Sequence, residues 1–256
     1  LSVLEALRSS EQLDSIQFSS PTEIGLADRA IVKESLVLPL AKTEVETWDG
    51  LRAKTRNMIR KAEKLELCSE RGSQNLRAFY ELYAGHLLRK GIPVHSYSLF
   101  EMINQEIGQQ AELIVARKSG EIIAGIYVFF GSSRAVYPFQ ATRADCQHLA
   151  ATQFLIWEAS KRAIARGVSW LDMGESRAGS PVYQSKVNFG GVPEAIYYYN
   201  LSNSGSPAPS AMRGVTFGEI GDRLVGLVHR GMMNHAPLSV RGRYGGWHRR
   251  KGRLLF

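Results

Sequence analysis

The stretch that decides the fold is residues 112–141, ELIVARKSGEIIAGIYVFFGSSRAVYPFQA. Its three runs, rich in β-branched and aromatic residues, are separated by short polar breaks at Ser119-Gly120 and Gly131-Ser132-Ser133. Breaks of this length join neighbouring antiparallel strands. The pattern therefore predicts an antiparallel meander. Its three strands are expected at 112–117, 121–130 and 134–141.

Helical patterns flank the predicted meander on both sides. Thr43 is a suitable N-cap for a helix that we expect to run to about Leu65, with its basic residues on one face. This order of elements is typical of an α+β fold, a mixed sheet flanked by helices, and disfavours a Rossmann or TIM-barrel arrangement. The other predicted helices are near 76–91, 98–107, 147–166 and 183–188, and the other predicted strands are a run ending at Leu40, 169–173 and 194–201.

The composition excludes several classes of protein. The chain has 256 residues, 44% of them apolar and 22% charged, which is typical of one large or two small globular domains. Cys68, Cys146 and the six histidines show neither a disulfide framework nor metal-ligand spacing. The longest apolar runs are too short to span a bilayer. The first residues, LSVLEALRSSEQ, are not a signal peptide, and without an initiator Met we expect a processed chain or a piece of a longer protein.

The positive charge is concentrated in two segments. The net charge is +8, which favours anionic partners such as phosphates, nucleic acid or an anionic membrane. One segment is 51–64, and the other is 224–256, which has no acidic residue. Within the second, Tyr244 and Trp247 alternate with basic residues, a mixture that suits RNA or an anionic lipid surface. The alternative is a disordered tail that keeps the protein in solution.

Four stretches of the chain resemble motifs of the Fem family of acyltransferases and follow that family's order. They are RNMIRKAEK at 56–64, the segment from Phe79-Tyr80 to RKGIP at 89–93, WLDMGES at 170–176 and YQSKVNFG at 183–190. The resemblance covers about residues 30–202. The most similar branch is the group of FemAB-related proteins found in exopolysaccharide gene clusters.

The resemblance implies an acetyltransferase-like (GNAT-like) fold, which often occurs as two tandem copies. On this interpretation residues 1–40 are the end of a first copy and residues 41–202 are a complete second copy. Residues 203–256 are a linker, a helix and a basic tail. A cytoplasmic location follows, with peripheral contact at the inner membrane face through this tail.

The resemblance also implies the transfer of an acyl or aminoacyl group to an amine of a cell-envelope, peptidoglycan or exopolysaccharide precursor. The donor is aminoacyl-tRNA or acyl-CoA, and no cofactor is bound permanently. Residues 143–148, RADCQH, stand where GNAT enzymes have a glycine-rich turn for the CoA pyrophosphate, and they contain no glycine. This difference disfavours acetyl-CoA. The alternatives are an acyl-CoA-dependent N-acetyltransferase and a non-catalytic protein that binds RNA or anionic membrane.

The resemblance indicates two catalytic residues. Lys186 matches the family lysine near the reacting carbonyl, where a cation stabilises the developing oxyanion; the alternative is a solvated lysine. Asp172 ends a predicted strand and either orients the amine or accepts its proton; the alternative is a turn aspartate bonded to nearby amides. Tyr183 lines the acceptor cleft or packs on the sheet. The arginine of the family motif is Glu175 here, and Arg177, two positions later, is a further candidate for substrate binding.

The predicted basic helix supplies three candidate ligands for phosphate. Arg56, Arg60 and Lys61 suit the phosphate groups of a nucleotide-linked or lipid-pyrophosphate-linked acceptor, because guanidinium groups pair with phosphate oxygens. The alternative is an exposed basic helix face with no ligand.

Overall fold

The computed structural model describes Ser9, residues 15–20, Glu23, Ile24 and the continuous stretch 29–202. The linker, helix and basic tail predicted for residues 203–256 lie outside these residues. The helices are α1 Glu44–Gly50, α2 Ala53–Lys64, α3 Leu76–Leu88, α4 Tyr97–Glu106, α5 Ala151–Ala165 and α6 Pro181–Phe189. The strands are β1 Ser15–Ser20, β2 Arg29–Pro39, β3 Cys68–Arg71, β4 Ala111–Lys118, β5 Glu121–Phe130, β6 Arg134–Thr142, β7 Trp170–Ser176 and β8 Val192–Ser202.

The chain divides into two compact units. The larger unit is Ser35–Pro193, and the smaller unit joins the N-terminal residues up to Glu34 with the residues from Glu194 onward. In the smaller unit, β1 pairs antiparallel with β8, with Ser15 opposite Ser202. The division of the sequence into copies at residues 40 and 41 stays a prediction.

The larger unit is a mixed sheet flanked by helices, as the sequence predicts. Its strands follow the order β2, β7, β6, β5, β4, β3. The predicted meander is confirmed, because β4 pairs antiparallel with β5 and β5 with β6. Strand β3, which the sequence analysis missed, adds to β4 at the edge. Strands β6 and β7 are parallel, joined by a crossover through α5.

Alternate residues of β5 face two different cores, as expected for a strand covered on both sides. Ile126 and Val128 belong to the aliphatic core with α5 and α2. Tyr127 and Phe129 face an aromatic cluster built by α3, α4 and β6. Gly125 lies beneath the Phe79 ring, where a Cβ atom would be 2.4 Å from the ring. The glycine therefore allows α3 to approach the sheet closely.

Strands β6 and β7 separate toward their C-terminal ends. Their pairing covers Arg134–Val136 against Trp170–Asp172. Within the described stretch both strands continue, β6 to Thr142 and β7 to Ser176, past the end of this pairing. The sheet is therefore split at the carboxyl ends of its two parallel strands.

Two helix predictions were wrong in extent. Thr43 is the predicted N-cap, with Glu46 completing a capping box, but the helix expected to reach Leu65 is α1 followed by α2. At the end of α1, Arg56 donates to the carbonyl oxygens of Asp49 at 2.9 Å and Leu51 at 2.6 Å. The helix expected from residue 147 begins at Ala151, because residues 144–149 form a 3₁₀ segment that is followed by a left-handed residue. Among the described residues, no helix is long and apolar enough to cross a bilayer.

Candidate functional site

Helix α6 positions the predicted catalytic lysine. Ser180 caps the helix by accepting a hydrogen bond from the backbone N–H of Tyr183 at 3.1 Å, and Pro181 occupies the first turn. Gly190, at φ 116°, ends the helix. Between these ends, the Nζ atom of Lys186 donates to the carbonyl oxygens of Gly174 at 3.0 Å and Glu175 at 3.1 Å.

The two carbonyls belong to the part of β7 beyond its pairing with β6. Consecutive carbonyls of a regular strand point to opposite sides, whereas these two meet one ammonium group. Gly174 marks the departure from regular geometry, because its φ of +77° is the left-handed conformation that glycine adopts without strain. The split in the sheet and the irregular end of β7 together provide the anchor for Lys186.

Burial lowers the pKa of Lys186 to about 8, while the negative charges of Asp172 and Glu175 act in the opposite direction. An ammonium group has three N–H donors. The carbonyls of Gly174 and Glu175 take two of them. The third is therefore suited to an oxygen that gains negative charge, in surroundings with less water than the surface.

Asp172 is held by several donors. Its Oδ1 atom accepts from the Ser35 hydroxyl at 2.5 Å and from the backbone N–H of Gly174 at 2.8 Å. Its Oδ2 atom lies 3.5 Å from the guanidinium group of Arg134. Burial raises the pKa of Tyr137, and the negative charge of Asp172 raises it further. These contacts match the turn-aspartate interpretation of Asp172, while the other role, toward an amine, stays a prediction.

A cleft of about 420 Å³ lies between α2, α5 and α6. Next to the lining residue Gln153, Thr152 in the first turn of α5 contacts Gln140 and Thr142 near the C-terminal end of β6 through its hydroxyl. On α6 the cleft side carries Gln184 and Ser185. The lining residues are Lys54, Thr55, Met58, Gln153, Pro181, Gln184, Ser185, Asn188 and Phe189.

The cleft contains residues that the sequence analysis missed. Lys54 is the cation of its lining. Arg52, which is not a lining residue, donates to the side chain of the lining residue Asn188 at 3.0 Å. The buried Thr55 hydroxyl donates to the Asn188 carbonyl oxygen at 2.7 Å and so joins α2 to α6. The sequence pattern that could have indicated these residues was the spacing of Lys54, Thr55 and Met58, which places them along one side of a helix.

The three predicted phosphate ligands each contact another part of the protein. Arg56 binds the end of α1, as described above. The Arg60 guanidinium lies 5.3 Å from the ring centre of Trp48. The Nζ atom of Lys61 donates to the His148 carbonyl oxygen at 2.9 Å. Their binding of phosphate stays a prediction, as does that of Arg177, which is exposed on the turn after β7. Tyr183 is half-buried and packs against the aliphatic core.

Two observations concern bound groups. Among the described residues, no cluster of three or more His, Cys, Asp or Glu side chains is arranged to hold a metal ion. Arg143, at the start of the glycine-free turn, pairs with Glu121 at 2.7 Å and Asp145 at 2.8 Å. A phosphate group would have to compete with two carboxylates for this guanidinium.

Comparisons with known proteins agree with this architecture. The sequence model of the family described as "Acetyltransferase (GNAT) domain" matches residues 50–184. No curated protein matches the chain. The chain is similar to the crystal structure of FemX, with a TM-score of 0.64 and 14% identity over 78% of this chain and 75% of that one.

Two further solved structures have similar folds. One is a C-terminal domain assigned to a lysylphosphatidylglycerol synthetase of Agrobacterium fabrum, with a TM-score of 0.52 and 13% identity over 84% of this chain and 72% of that one. The other is a conserved protein of unknown function from Staphylococcus epidermidis, with a TM-score of 0.51 and 10% identity over 79% of this chain and 78% of that one. At these identities the similarities show the fold alone.

Proposed function

Because the chain belongs to the family of acetyltransferase (GNAT) domains, we propose that it is an acyltransferase whose reaction takes place at the open end of the β6–β7 split. The observation that carries the proposal is the position of Lys186. Its ammonium group is anchored on two carbonyls of β7 that lie beyond the pairing of this strand with β6. A preorganised cation in a site of low water content stabilises negative charge that develops on a carbonyl oxygen.

The proposed reaction is acyl transfer to an amine. The amine nitrogen attacks the acyl carbonyl carbon, and the carbonyl oxygen gains negative charge, which Lys186 stabilises. The tetrahedral intermediate then collapses. A new C–N bond remains, the bond from the acyl carbon to the leaving oxygen or sulfur breaks, and the proton from the amine goes to the leaving group. Lys186 therefore acts on the charge of the transition state rather than on the amine.

We propose that the donor occupies the cleft between α2, α5 and α6. The cleft volume of about 420 Å³ suits the arm of a donor molecule. Its lining combines amide and hydroxyl groups with the apolar side chains of Met58 and Phe189. The resemblance to the Fem family supports aminoacyl-tRNA as the donor. The pairing of Arg143 with two carboxylates supports the same choice over acyl-CoA, because it occupies a guanidinium that would otherwise be open to pyrophosphate.

The proposed acceptor is an amine on a phosphate-bearing precursor of the cell envelope or of an exopolysaccharide. The Fem-like motifs and the net charge of +8 support this choice. Arg56, Arg60, Lys61, Tyr183 and Arg177 stay proposed acceptor contacts. Peripheral contact with an anionic membrane through the basic tail is part of the same proposal.

The test is a transfer assay with defined probes. Radiolabelled alanyl-tRNA or acetyl-CoA is incubated with the protein and a uridine-diphosphate-linked muramyl peptide or amino sugar that carries a primary amine. We expect label to move to the acceptor from alanyl-tRNA. Substituting Lys186→Ala should lower the rate by about a hundredfold or more, whereas Lys118→Ala, on the remote strand β4, should leave it unchanged.

Three results would contradict parts of this proposal. Equal rates for wild type and Lys186→Ala would exclude the oxyanion role. Transfer from acetyl-CoA in place of alanyl-tRNA would establish the N-acetyltransferase alternative. Binding of tRNA or anionic vesicles that falls steeply with salt, without transfer from either donor, would favour a non-catalytic protein.

A further inference from the structure

We infer that Ser35 is a positioning residue for the proposed reaction, and that it acts with Asp172 to hold the carbonyls that anchor Lys186. Ser35 lies on β2, 137 positions from Asp172 in the sequence, and donates its hydroxyl hydrogen to Asp172 Oδ1 at 2.5 Å. The inference rests on the proposed function, because it deepens the role of the same site.

A continuous series of contacts connects Ser35 with Lys186. The Asp172 carboxylate accepts from Ser35 on one side and from the Gly174 N–H on the other, through the same oxygen. Gly174 in turn presents its carbonyl oxygen to Lys186 at 3.0 Å. Strand β2 is thereby connected through one carboxylate oxygen to the turn that fixes the ammonium group.

Packing alone does not explain a serine at this position. Ser35 is 2% exposed and precedes the buried residues Leu36, Val37 and Leu38 of β2. A buried hydroxyl is unfavourable unless it is hydrogen-bonded, and an alanine would fill nearly the same space. The bond that satisfies Ser35 goes to the carboxylate beside the catalytic lysine. The hydroxyl thus serves the geometry of the site.

The same contacts assign Asp172 a positioning role rather than that of a base. Both donors to Oδ1 compete for the electron pairs that a base would use, and Arg134 faces Oδ2 at 3.5 Å. Several charged and titratable groups in the described part of the chain act on Lys186 or Asp172. They are Glu175 on β7, and Arg134 and Tyr137 on β6.

The test measures the titration of Lys186 directly and needs no substrate. The full chain is labelled with trace acetic anhydride between pH 6 and about pH 11, and the acetylation of each lysine is followed by mass spectrometry. Only the neutral amine reacts, so the pH dependence reports the pKa of each side chain. Lys118 is an internal reference. In the wild type we expect Lys186 to become half-reactive near pH 8.

Two substitutions separate geometry from charge. Ser35→Ala changes no charge, so it can alter the pKa of Lys186 only by loosening the turn at Gly174 and exposing the ammonium group to water. We expect the midpoint of Lys186 to rise by about one pH unit or more toward 10.5. Asp172→Asn keeps an oxygen acceptor and removes a negative charge that favours the ammonium form. Here we expect the midpoint to fall below the wild-type value.

The matched control is Ser160→Ala. Ser160 is also fully buried, and its hydroxyl donates to the Ile156 carbonyl within α5 at 2.8 Å, away from the site. We expect it to leave the midpoint of Lys186 unchanged. An unchanged midpoint in folded Ser35→Ala, or an equal change in Ser160→Ala, would overturn the inference. If Ser35→Ala does not fold, Ser35→Thr, which keeps the hydroxyl, is compared with Ser35→Val, which has the same shape without it, and equal midpoints of Lys186 in these two variants overturn the inference.

The transfer assay then distinguishes this inference from the proposed function. If Lys186→Ala is as active as wild type while Ser35→Ala moves the midpoint, the positioning is real and the oxyanion role is wrong. If Lys186 stabilises the oxyanion and Ser35 positions it, Ser35→Ala should lower kcat by up to about a hundredfold. It should leave the KM for the donor unchanged, since misplacing a catalytic group affects the transition state. A change in KM alone would contradict the positioning role.

Discussion

Replacing Lys186 with methionine should change how the stability of the protein depends on pH. Burial lowers the pKa of Lys186 from the usual 10.5 to about 8 in the folded protein. In the unfolded chain it returns to its usual value. Between these two pH values the unfolded chain binds more protons than the folded one, so raising the pH favours the folded state. The methionine variant lacks this contribution.

The size of the effect follows from the difference between the two pKa values. They differ by about 2.5 pH units, and each unit corresponds to about 1.4 kcal/mol. The free energy of unfolding of the wild type should therefore rise relative to that of Lys186→Met by about 3 kcal/mol at most. The rise should begin near pH 8 and be complete near pH 10.5. Below pH 8 the difference between the two proteins should stay constant.

The assay is urea unfolding followed by circular dichroism at half-unit steps from pH 6.5 to about pH 10.5. Subtracting the stability curve of the variant from that of the wild type cancels the pH-dependent contribution of every titratable group that the two proteins share. The loss of the two carbonyl contacts then appears only as a constant offset. Lys118→Met is the control, and its curve should run parallel to that of the wild type. A parallel curve for Lys186→Met would refute the conclusion that the folded protein disfavours the charged lysine.

Other substitutions test the packing and the cleft. Gly125→Ala should destabilise the protein by about 1–3 kcal/mol, because its Cβ would meet a ring of α3. Gly50→Ala is the control and should not destabilise the protein, because there is open space around Gly50. Urea unfolding of the two variants measures the difference. Arg56→Ala should cost about 1–2 kcal/mol through loss of the bonds that end α1, whereas the exposed Lys64→Ala should change stability by less than about 0.5 kcal/mol. Ser185→Trp should fill the cleft and raise the KM for the donor about tenfold or more at an unchanged melting temperature; an unchanged KM would exclude the cleft as the donor site.

The sequence predicted the elements whose pattern is local. The meander of β4, β5 and β6 was correct because each run is separated from the next by a short polar turn, and the turn length fixes antiparallel pairing. The break between α1 and α2 was missed. The Asp49-Gly50 pair, which is typical of a turn, was an available sequence signal for the break, and in the structure Arg56 also donates to the Leu51 carbonyl there. A bond between one side chain and the backbone leaves no trace in hydrophobic spacing.

The site was predictable only in part. Lys186 was proposed as a site residue through the resemblance to a family, since a lysine on a short helix has no distinguishing pattern of its own. Its anchor on Gly174 and Glu175 depends on contacts across 12 and 11 positions of the sequence. Ser35 was missed because its partner lies in a strand 137 positions away, and a single serine in a strand indicates nothing about what it faces.

The end of the β6–β7 pairing explains how Lys186 is anchored. In a continuous parallel ladder, backbone carbonyls of β7 would accept hydrogen bonds from β6. The pairing ends at Asp172, and the next carbonyls along β7 bind Lys186 instead. The helices that follow the two strands, α5 and α6, border the cleft, which is lined by residues of α2, α5 and α6 and not by Lys186 itself. Because Gly174 has a φ of +77°, any residue with a Cβ atom at this position would strain the turn, and replacing Gly174 by a β-branched residue should therefore disturb the carbonyls that anchor Lys186.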